Sequence, residues 1–289
     1  MKPAPFVFHR ARSLEDALAL LAQHPDAKPL AGGQSLIPAM NFRIAQPSAL
    51  VDLNSVTEIA GITATPTGGL RIGAMTRHLA VQRSELVRAH APLLFETMPH
   101  VAHQAIRSRG TLGGSLAHAD PSAELPAVMT ALGARLLLRS QAGERWVDAT
   151  EFFTGLFATA LVAGELLVAA ELPPRPARSG HAFLEVARRH GDFALAGVAV
   201  QVVLASDGLI ASARIALLSV GDGPVLVAGG TALAGTAGDS AAILAASESV
   251  RAEVDPPTDI HADAAYRRQL AAVLTRRALT TAIARASNA

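Results

Sequence analysis

At 289 residues the chain exceeds one ordinary domain and can bury about three-quarters of its unfolded surface, so two domains are expected. Half of the residues are hydrophobic but only 4% are aromatic, which predicts a core of Ala, Val, Leu and Ile. A formal net charge of +1 gives no electrostatic reason for a nucleic-acid or anionic-membrane partner, and the lack of cysteine excludes disulfides, thiolate-held iron–sulfur clusters and a thiolate nucleophile.

The opening MKPAPFVFHRARS puts prolines and charges where a signal peptide needs an apolar segment. The longest mostly apolar stretches, 154–170 and 193–206, contain Glu165 or are too short to span a bilayer. No membrane span and a cytoplasmic location are therefore expected. Ser13 followed by Asp16 resembles a capping box, with Leu14, Leu18 and Leu21 on one face of a helix that Pro25 ends.

The stretch Lys28–Pro38 then reads as strand, tight turn and helix start. Gly32 and Gly33 let the backbone turn sharply without a Cβ to obstruct a ligand. Successive N–H groups would face a concavity, and Ser35 can donate its hydroxyl or cap the next helix. Such a turn suits a diphosphate, although a purely structural turn is the commoner explanation of any Gly-Gly pair. Residues 49–53 read as a strand, closing a β-α-β lobe near residue 60. A hairpin turn at 65–69 opens the second lobe.

Residues 76–109 read as helical with breaks at Pro92 and Pro99, the last turn carrying Arg107 and Arg109 and Gly110 standing where a left-handed C-cap is wanted. A second glycine pair follows in Thr111-Leu112-Gly113-Gly114-Ser115, and two such turns from separate lobes can converge on one extended ligand. Asp120 before Pro121 reads as a helix N-cap, with a short turn at 121–124 relieving the clash that Pro126 would otherwise cause. Strands are expected at 134–139, 144–148 and 165–172, and Pro173-Pro174-Arg175-Pro176 marks the main boundary. This divides the chain into 1–176 (lobes about 1–60 and 61–176) and 177–289.

Beyond it, three antiparallel strands near 181–188, 197–204 and 209–219 need a cover on one face, which helices at 229–235, 239–250 and 262–286 would supply. Tyr266, Leu270, Val273 and Leu274 fall on one stripe of the last helix, and Arg267, Arg268, Arg276 and Arg277 read as a solvated or subunit-facing surface.

Few catalytic constellations stand out. There is no GxGxxG after a strand, no GxxxxGK[ST] and no GxSxG. His100 and His103 are spaced for metal ligation but lack a third ligand, so no metal site and no catalytic side chain are assigned.

Four segments together resemble one family: AGGQSLIPAMNFRIAQP at 31–47, IRSRGTLGGSLAHADPSAELPA at 106–127, FLEVARRHGDFALAGVAV at 183–200 and AYRRQLAAVLTRRAL at 265–279. They are similar to the FAD-binding medium subunit of the molybdenum hydroxylases, the carbon monoxide dehydrogenase, xanthine dehydrogenase and aldehyde oxidase group. The resemblance implies an α+β fold: a two-lobed FAD-binding domain of the vanillyl-alcohol-oxidase (PCMH) type, then a C-terminal domain with a three-stranded antiparallel sheet and helices. By that similarity Ala31, Gly32, Gly33, Gln34 and Ser35 cradle the FAD diphosphate. Thr111, Gly113, Gly114 and Ser115 form a second contact, Asp120 lies toward the ribityl or adenosine part, and Phe193 lies by the isoalloxazine ring. The alternative reading of Phe193 is a side chain buried in the domain interface.

The same resemblance implies non-covalent FAD on this chain, with molybdopterin and [2Fe–2S] clusters only on a large and a small partner subunit, in a dimer of heterotrimers. The external acceptor would be quinone, oxygen or NAD. The missing cysteines agree, since this chain cannot hold the clusters itself. Two alternatives stay open: a stand-alone FAD-dependent oxidoreductase of the same fold, and a non-catalytic assembly factor.

Overall fold

A computed structural model describes residues 1–289. The first lobe runs β1 (Val7–Arg10), α1 (Leu14–Gln23), β2 (Lys28–Leu30), α2 (Leu36–Asn41) and β3 (Ala49–Asp52). Its strands form a parallel sheet in the order β1-β3-β2, so the fully buried β3 lies at the centre. The Ser13 hydroxyl accepts from the Asp16 N–H at 3.1 Å, while the Asp16 carboxylate accepts from the Arg12 N–H rather than from the cap residue's own. Leu14, Leu18 and Leu21 of α1 are buried against this sheet, as the periodicity required. The strand at Val7–Arg10 carries no sequence signal that had singled it out, because its side chains are mostly exposed.

The second lobe begins with β4 (Ile62–Ala64) and β5 (Leu70–Gly73), followed by short helices α3 (His78–Gln82), α4 (Glu85–His90), α5 (Pro92–Thr97), α6 (Gln104–Arg107), α7 (Leu112–His118) and α8 (Glu124–Leu132). It continues through β6 (Arg135–Ser140), β7 (Gly143–Asp148), α9 (Ala149–Phe152), β8 (Phe153–Gly155), β9 (Ala158–Thr159) and β10 (Leu166–Leu172). The antiparallel order β4-β5-β10-β6-β7 folds the chain's ends of this lobe together at its centre. Pro92 opens α5 at its first position, where the missing N–H has no helical partner to lose. Pro126 is tolerated in α8 for the same reason: the helix starts at Glu124, after a turn in which Asp120 Oδ1 accepts from the Ser122 N–H. Asp120 therefore closes an Asx turn and does not cap α8, whose N-cap position is Ala123.

The C-terminal part contains β11 (Ser179–Ala187), β12 (Ala194–Leu204), β13 (Ile210–Leu218) and β14 (Val225–Leu226), then α10 (Gly229–Ala232), α11 (Ser240–Glu253) and α12 (Ala264–Ser287). The three long strands form the expected antiparallel meander, and the two-residue β14 adds a fourth strand at the β13 edge. Both faces of this sheet are covered. Val198, Val200 and Val202 pack with Ala271, Ala278 and Ala282 of α12, while Phe183, Ala199 and Ala216 join the core around α8 of the second lobe. The near-continuous apolar run of β12 follows from this double burial.

Two features of α12 differ from the sequence expectation. Its buried stripe is the alanine-rich line through Ala271, Leu274, Ala278 and Ala282, and Tyr266 is exposed. Arg267 is not a surface residue: it is buried and donates to the Leu195 carbonyl at 2.6 Å and to Asp259 at 2.7 Å. Small side chains let α12 sit directly on β11, where a Cβ added at Gly180 would collide with the Ala282 carbonyl and would reach the Ala286 nitrogen at 2.5 Å. Gly180→Ala is therefore expected to destabilise the protein by about 1–3 kcal/mol, read as a lowered midpoint in denaturant unfolding.

Candidate functional site

The two glycine segments meet. A Cβ on Gly32 would clash with the Arg109 carbonyl and come within 2.8 Å of Gly110 Cα, while Gly114 lies close enough for its Cβ to reach Ala31 Cβ at 3.5 Å. Backbone is thus laid on backbone across the two lobes, with no side chain between them.

The first segment is a true turn. Gly33 has φ +71°, in the region that favours glycine, and α2 follows with the Gly33 and Ser35 carbonyls accepting from Ile37 and Ala39. The N–H groups of Gly32, Gly33, Gln34 and Ser35 donate to no acceptor in the chain. Ser35 does not cap α2, and its hydroxyl is uncommitted. Gln34 turns back instead, its side-chain amide donating to the Gly32 carbonyl at 3.0 Å. Four consecutive free donors beside a free hydroxyl are chemically suited to an anion.

The second segment is built differently from the expected turn. Gly113 and Gly114 lie inside the first turn of α7, whose N-cap Thr111 accepts from the Gly114 N–H at 3.1 Å. The amides of Leu112, Gly113 and Ser115 are also satisfied, by the carbonyls of Thr76, Ala74 and Thr111. What this segment can offer is the Thr111 N–H, the hydroxyls of Thr111 and Ser115 and a glycine surface without Cβ. Gly113 must be small because its Cβ would meet Ala74.

Residues 74–78 run alongside 110–113 and hold them; of these, Thr76 and Arg77 fall within the expected helical stretch 76–109 but lie outside any helix. His78 donates its N–H to the Gly110 carbonyl at 3.0 Å, and its Nε2 lies 2.8 Å from the Thr111 carbonyl. Gly110 is not a left-handed cap. It is glycine because its Cβ would press on the His78 ring at 2.9 Å. Arg107 stands in the last turn of α6, as expected, and is buried, gathering the carbonyls of Pro99, Val101 and Ala102.

Asp120 stands at the far end of α7 from Thr111, where the Pro121 carbonyl accepts from the Ser219 N–H of the C-terminal part. Phe193 is 70% exposed on the β11–β12 loop, which removes the buried-interface reading of this residue. That loop rests on the second lobe: a Cβ at Gly191 would strike the His103 ring. His100 pairs with Glu185 at 3.3 Å, and no group of three His, Asp or Glu side chains is arranged to hold a metal.

A cluster of ionisable groups ties the second lobe to the C-terminal part. Burial would raise the Glu96 carboxyl, but hydrogen bonds from His181, the Phe183 N–H and Arg285 outweigh it and hold the group at about 2. Burial pushes Glu124 up to about 7, and hydrogen bonding to Glu185 raises His100.

The family described as "FAD binding domain in molybdopterin dehydrogenase" matches residues 4–175, and "CO dehydrogenase flavoprotein C-terminal domain" matches residues 181–282. The chain belongs to this family of FAD-binding oxidoreductase subunits. It is 41% identical over 288 residues to the 6-hydroxypseudooxynicotine dehydrogenase complex subunit alpha of Paenarthrobacter nicotinovorans, covering 99% of this chain and 97% of that one. It is 40% identical to the carbon monoxide dehydrogenase medium chain of Afipia carboxidovorans, with 100% of each covered. A solved chain of carbon monoxide dehydrogenase from Hydrogenophaga pseudoflava superposes with a TM-score of 0.96 at 38% identity, covering 99% of both.

Burial, with the neighbouring charges of Arg107 and Arg77, lowers His78 to about 4 against an ordinary 6.5, despite its bond to Thr111. Its Nδ1 is buried without a partner, so the folded protein keeps the ring neutral. Below pH 6.5 the unfolded chain binds a proton that the folded one does not, and stability falls as pH drops toward 4. His78→Gln should remove up to about 3 kcal/mol of the stability loss over that window, seen as a flatter dependence of unfolding midpoint on pH than in the wild type.

Proposed function

We propose that this chain is the flavin-carrying medium subunit of a cytoplasmic molybdenum hydroxylase complex. Electrons would enter from [2Fe–2S] clusters on a small partner subunit, supplied by a large molybdopterin-binding subunit, and leave to quinone, oxygen or NAD. The assembly is a dimer of heterotrimers, and the chain divides into an FAD-binding domain, 1–176, and a C-terminal domain, 177–289. Non-covalent FAD supplies the redox chemistry, while the protein sets its position and access.

One observation carries this reading: the two lobes bring two glycine segments into contact beside four unspent backbone donors. Gly32 to Ser35 present N–H groups to a diphosphate without a Cβ in the way at 32 and 33. Thr111 and Ser115 add hydroxyls from the other lobe, Gly113 and Gly114 keep that wall flat, and Ala31 fits against it. Asp120 lies one helix length away, suited to a sugar hydroxyl, and the exposed Phe193 ring offers a face to the isoalloxazine. The relatives' names agree, since they differ in substrate, from carbon monoxide to 6-hydroxypseudooxynicotine, while each matches nearly the whole of this chain.

Copurification with the products of neighbouring genes should yield a yellow complex with flavin absorbance and about one FAD per copy of this chain; a colourless protein that takes up no FAD would overturn the reading. Gly33→Val should abolish FAD retention, because a branched side chain at φ +71° is strained and its Cβ already meets Ile37 and Leu30 at 3.1 and 3.2 Å. Phe193→Ala should leave FAD content unchanged but alter the flavin's visible absorbance and fluorescence, whereas unchanged spectra would remove Phe193 from the ring face.

A further inference from the structure

Asn54 and Arg77 connect the two glycine segments by side chains. The Asn54 amide donates to the Ala31 carbonyl at 3.2 Å, and its Oδ1 accepts from Arg77 Nη2 at 2.5 Å. Arg77 Nη1 donates to the carbonyl of Arg109, the same group that lies against Gly32. One continuous strap therefore runs from the first lobe's turn to the second lobe's, crossing the seam at its closest point.

Both ends of the strap are fixed. Asn54 follows the central strand β3 and donates its N–H to Asp52 Oδ1 at 3.1 Å. Arg77 stands between Thr76 and His78, whose backbones pair with Leu112 and Gly110. A planar guanidinium can satisfy two acceptors at set angles in a way that an ammonium cannot. Arg77 also keeps N–H groups that neither Asn54 nor Arg109 uses. Burial and the neighbouring Arg109 both disfavour its charge, with Asp52 offsetting them in part. A half-buried cation beside a second cation, at the joint of a donor-lined concavity, is an arrangement that a bound anion would relieve.

We propose that Arg77, held by Asn54, is a positioning residue for the FAD diphosphate: it sets the gap between the two glycine segments and supplies positive charge at their joint. This rests on the flavin reading above. The backbone donors of Gly32–Ser35 belong to one lobe and the hydroxyls of Thr111 and Ser115 to the other, so their spacing depends on what links the lobes. Without the strap the donors remain, but the concavity is no longer held to one width.

The test is FAD binding by the copurified complex stripped of flavin, followed by flavin fluorescence, with this chain as wild type, Arg77→Gln, Arg77→Lys, Asn54→Ala or the Asn54→Ala/Arg77→Gln double variant. Unfolding midpoints are measured for each without FAD and with saturating FAD. Arg77→Gln should weaken binding by about 10- to 100-fold and Asn54→Ala by about 10-fold, with the double variant little worse than Arg77→Gln because the two act through one strap. Arg77→Lys should restore the salt dependence of binding but only part of the affinity. The FAD-induced rise in midpoint should shrink, while the flavin-free midpoints stay close to that of the wild type. Wild-type affinity in Arg77→Gln overturns the inference, as do losses matched by equal falls in the flavin-free midpoint, which would mark a purely structural role. Failure of the wild-type complex itself to bind FAD would instead remove the flavin reading, and this inference with it.

Discussion

The contact of Gly32 with the Arg109–Gly110 peptide is the constraint on which the rest of the site depends. Two polypeptide segments from separate lobes can approach this closely only when no Cβ intervenes, and glycine is the residue that meets that condition. The consequences spread outward in both directions. On one side the amides of residues 32–35 are left without acceptors. On the other, Gly110 and Gly113 must accommodate the His78 ring and the Ala74 backbone that hold the second segment in place. Backbone donors without a partner in the chain are open to solvent or to a ligand, and this turn presents four in a row.

The C-terminal part supports this arrangement from behind. Its sheet is packed between α8 and α12, so the second lobe and the C-terminal strands share one core. Arginines recur at the joints. Arg214 donates to the Thr130 and Ala131 carbonyls at the end of α8, and Arg285 pairs with Glu96 at 2.6 Å. Arg267 fixes the carbonyl of Leu195, two residues beyond Phe193. Guanidinium groups suit this work because one group can satisfy several carbonyls at once, and a chain so poor in aromatic residues has few large side chains to fill such gaps. The β11–β12 loop is thereby anchored at both its base and its His103 contact, leaving Phe193 outward on a fixed support.

Much of the architecture was legible in the sequence because it rests on local signals. The Gly32–Gly33 turn, the Ser13 cap and the periodicity of α1 each act within a few residues, and the structure bears them out, whereas Gly113 and Gly114 fall inside a helix. Pairings between distant segments were not legible. Thr76 read as part of a helix because nothing nearby shows that its carbonyl is claimed by Leu112. Gly110 looked like a left-handed cap for the same reason. A glycine required by a ring packed against it is indistinguishable, in sequence, from one required by its φ. Arg267 read as surface because its partners, Leu195 and Ser219, lie 72 and 48 residues away. Asn54 and Arg77 carried no motif at all.

The asymmetry between the two glycine segments has a physical consequence for how a dinucleotide would be held. The first offers backbone N–H groups, whose directions are fixed by the turn and whose number exceeds what the chain itself can use. The second has consumed its amides in helix and strand pairing and offers hydroxyls, which rotate to suit a ligand. A rigid set of donors facing an adjustable one defines a position on one side and tolerates small displacements on the other. For a cofactor that must hold one orientation toward partner subunits while its redox state changes, the rigid side belongs at the diphosphate, whose charge does not vary. Residues 32–35, at the joint of the two lobes, would supply that rigid side.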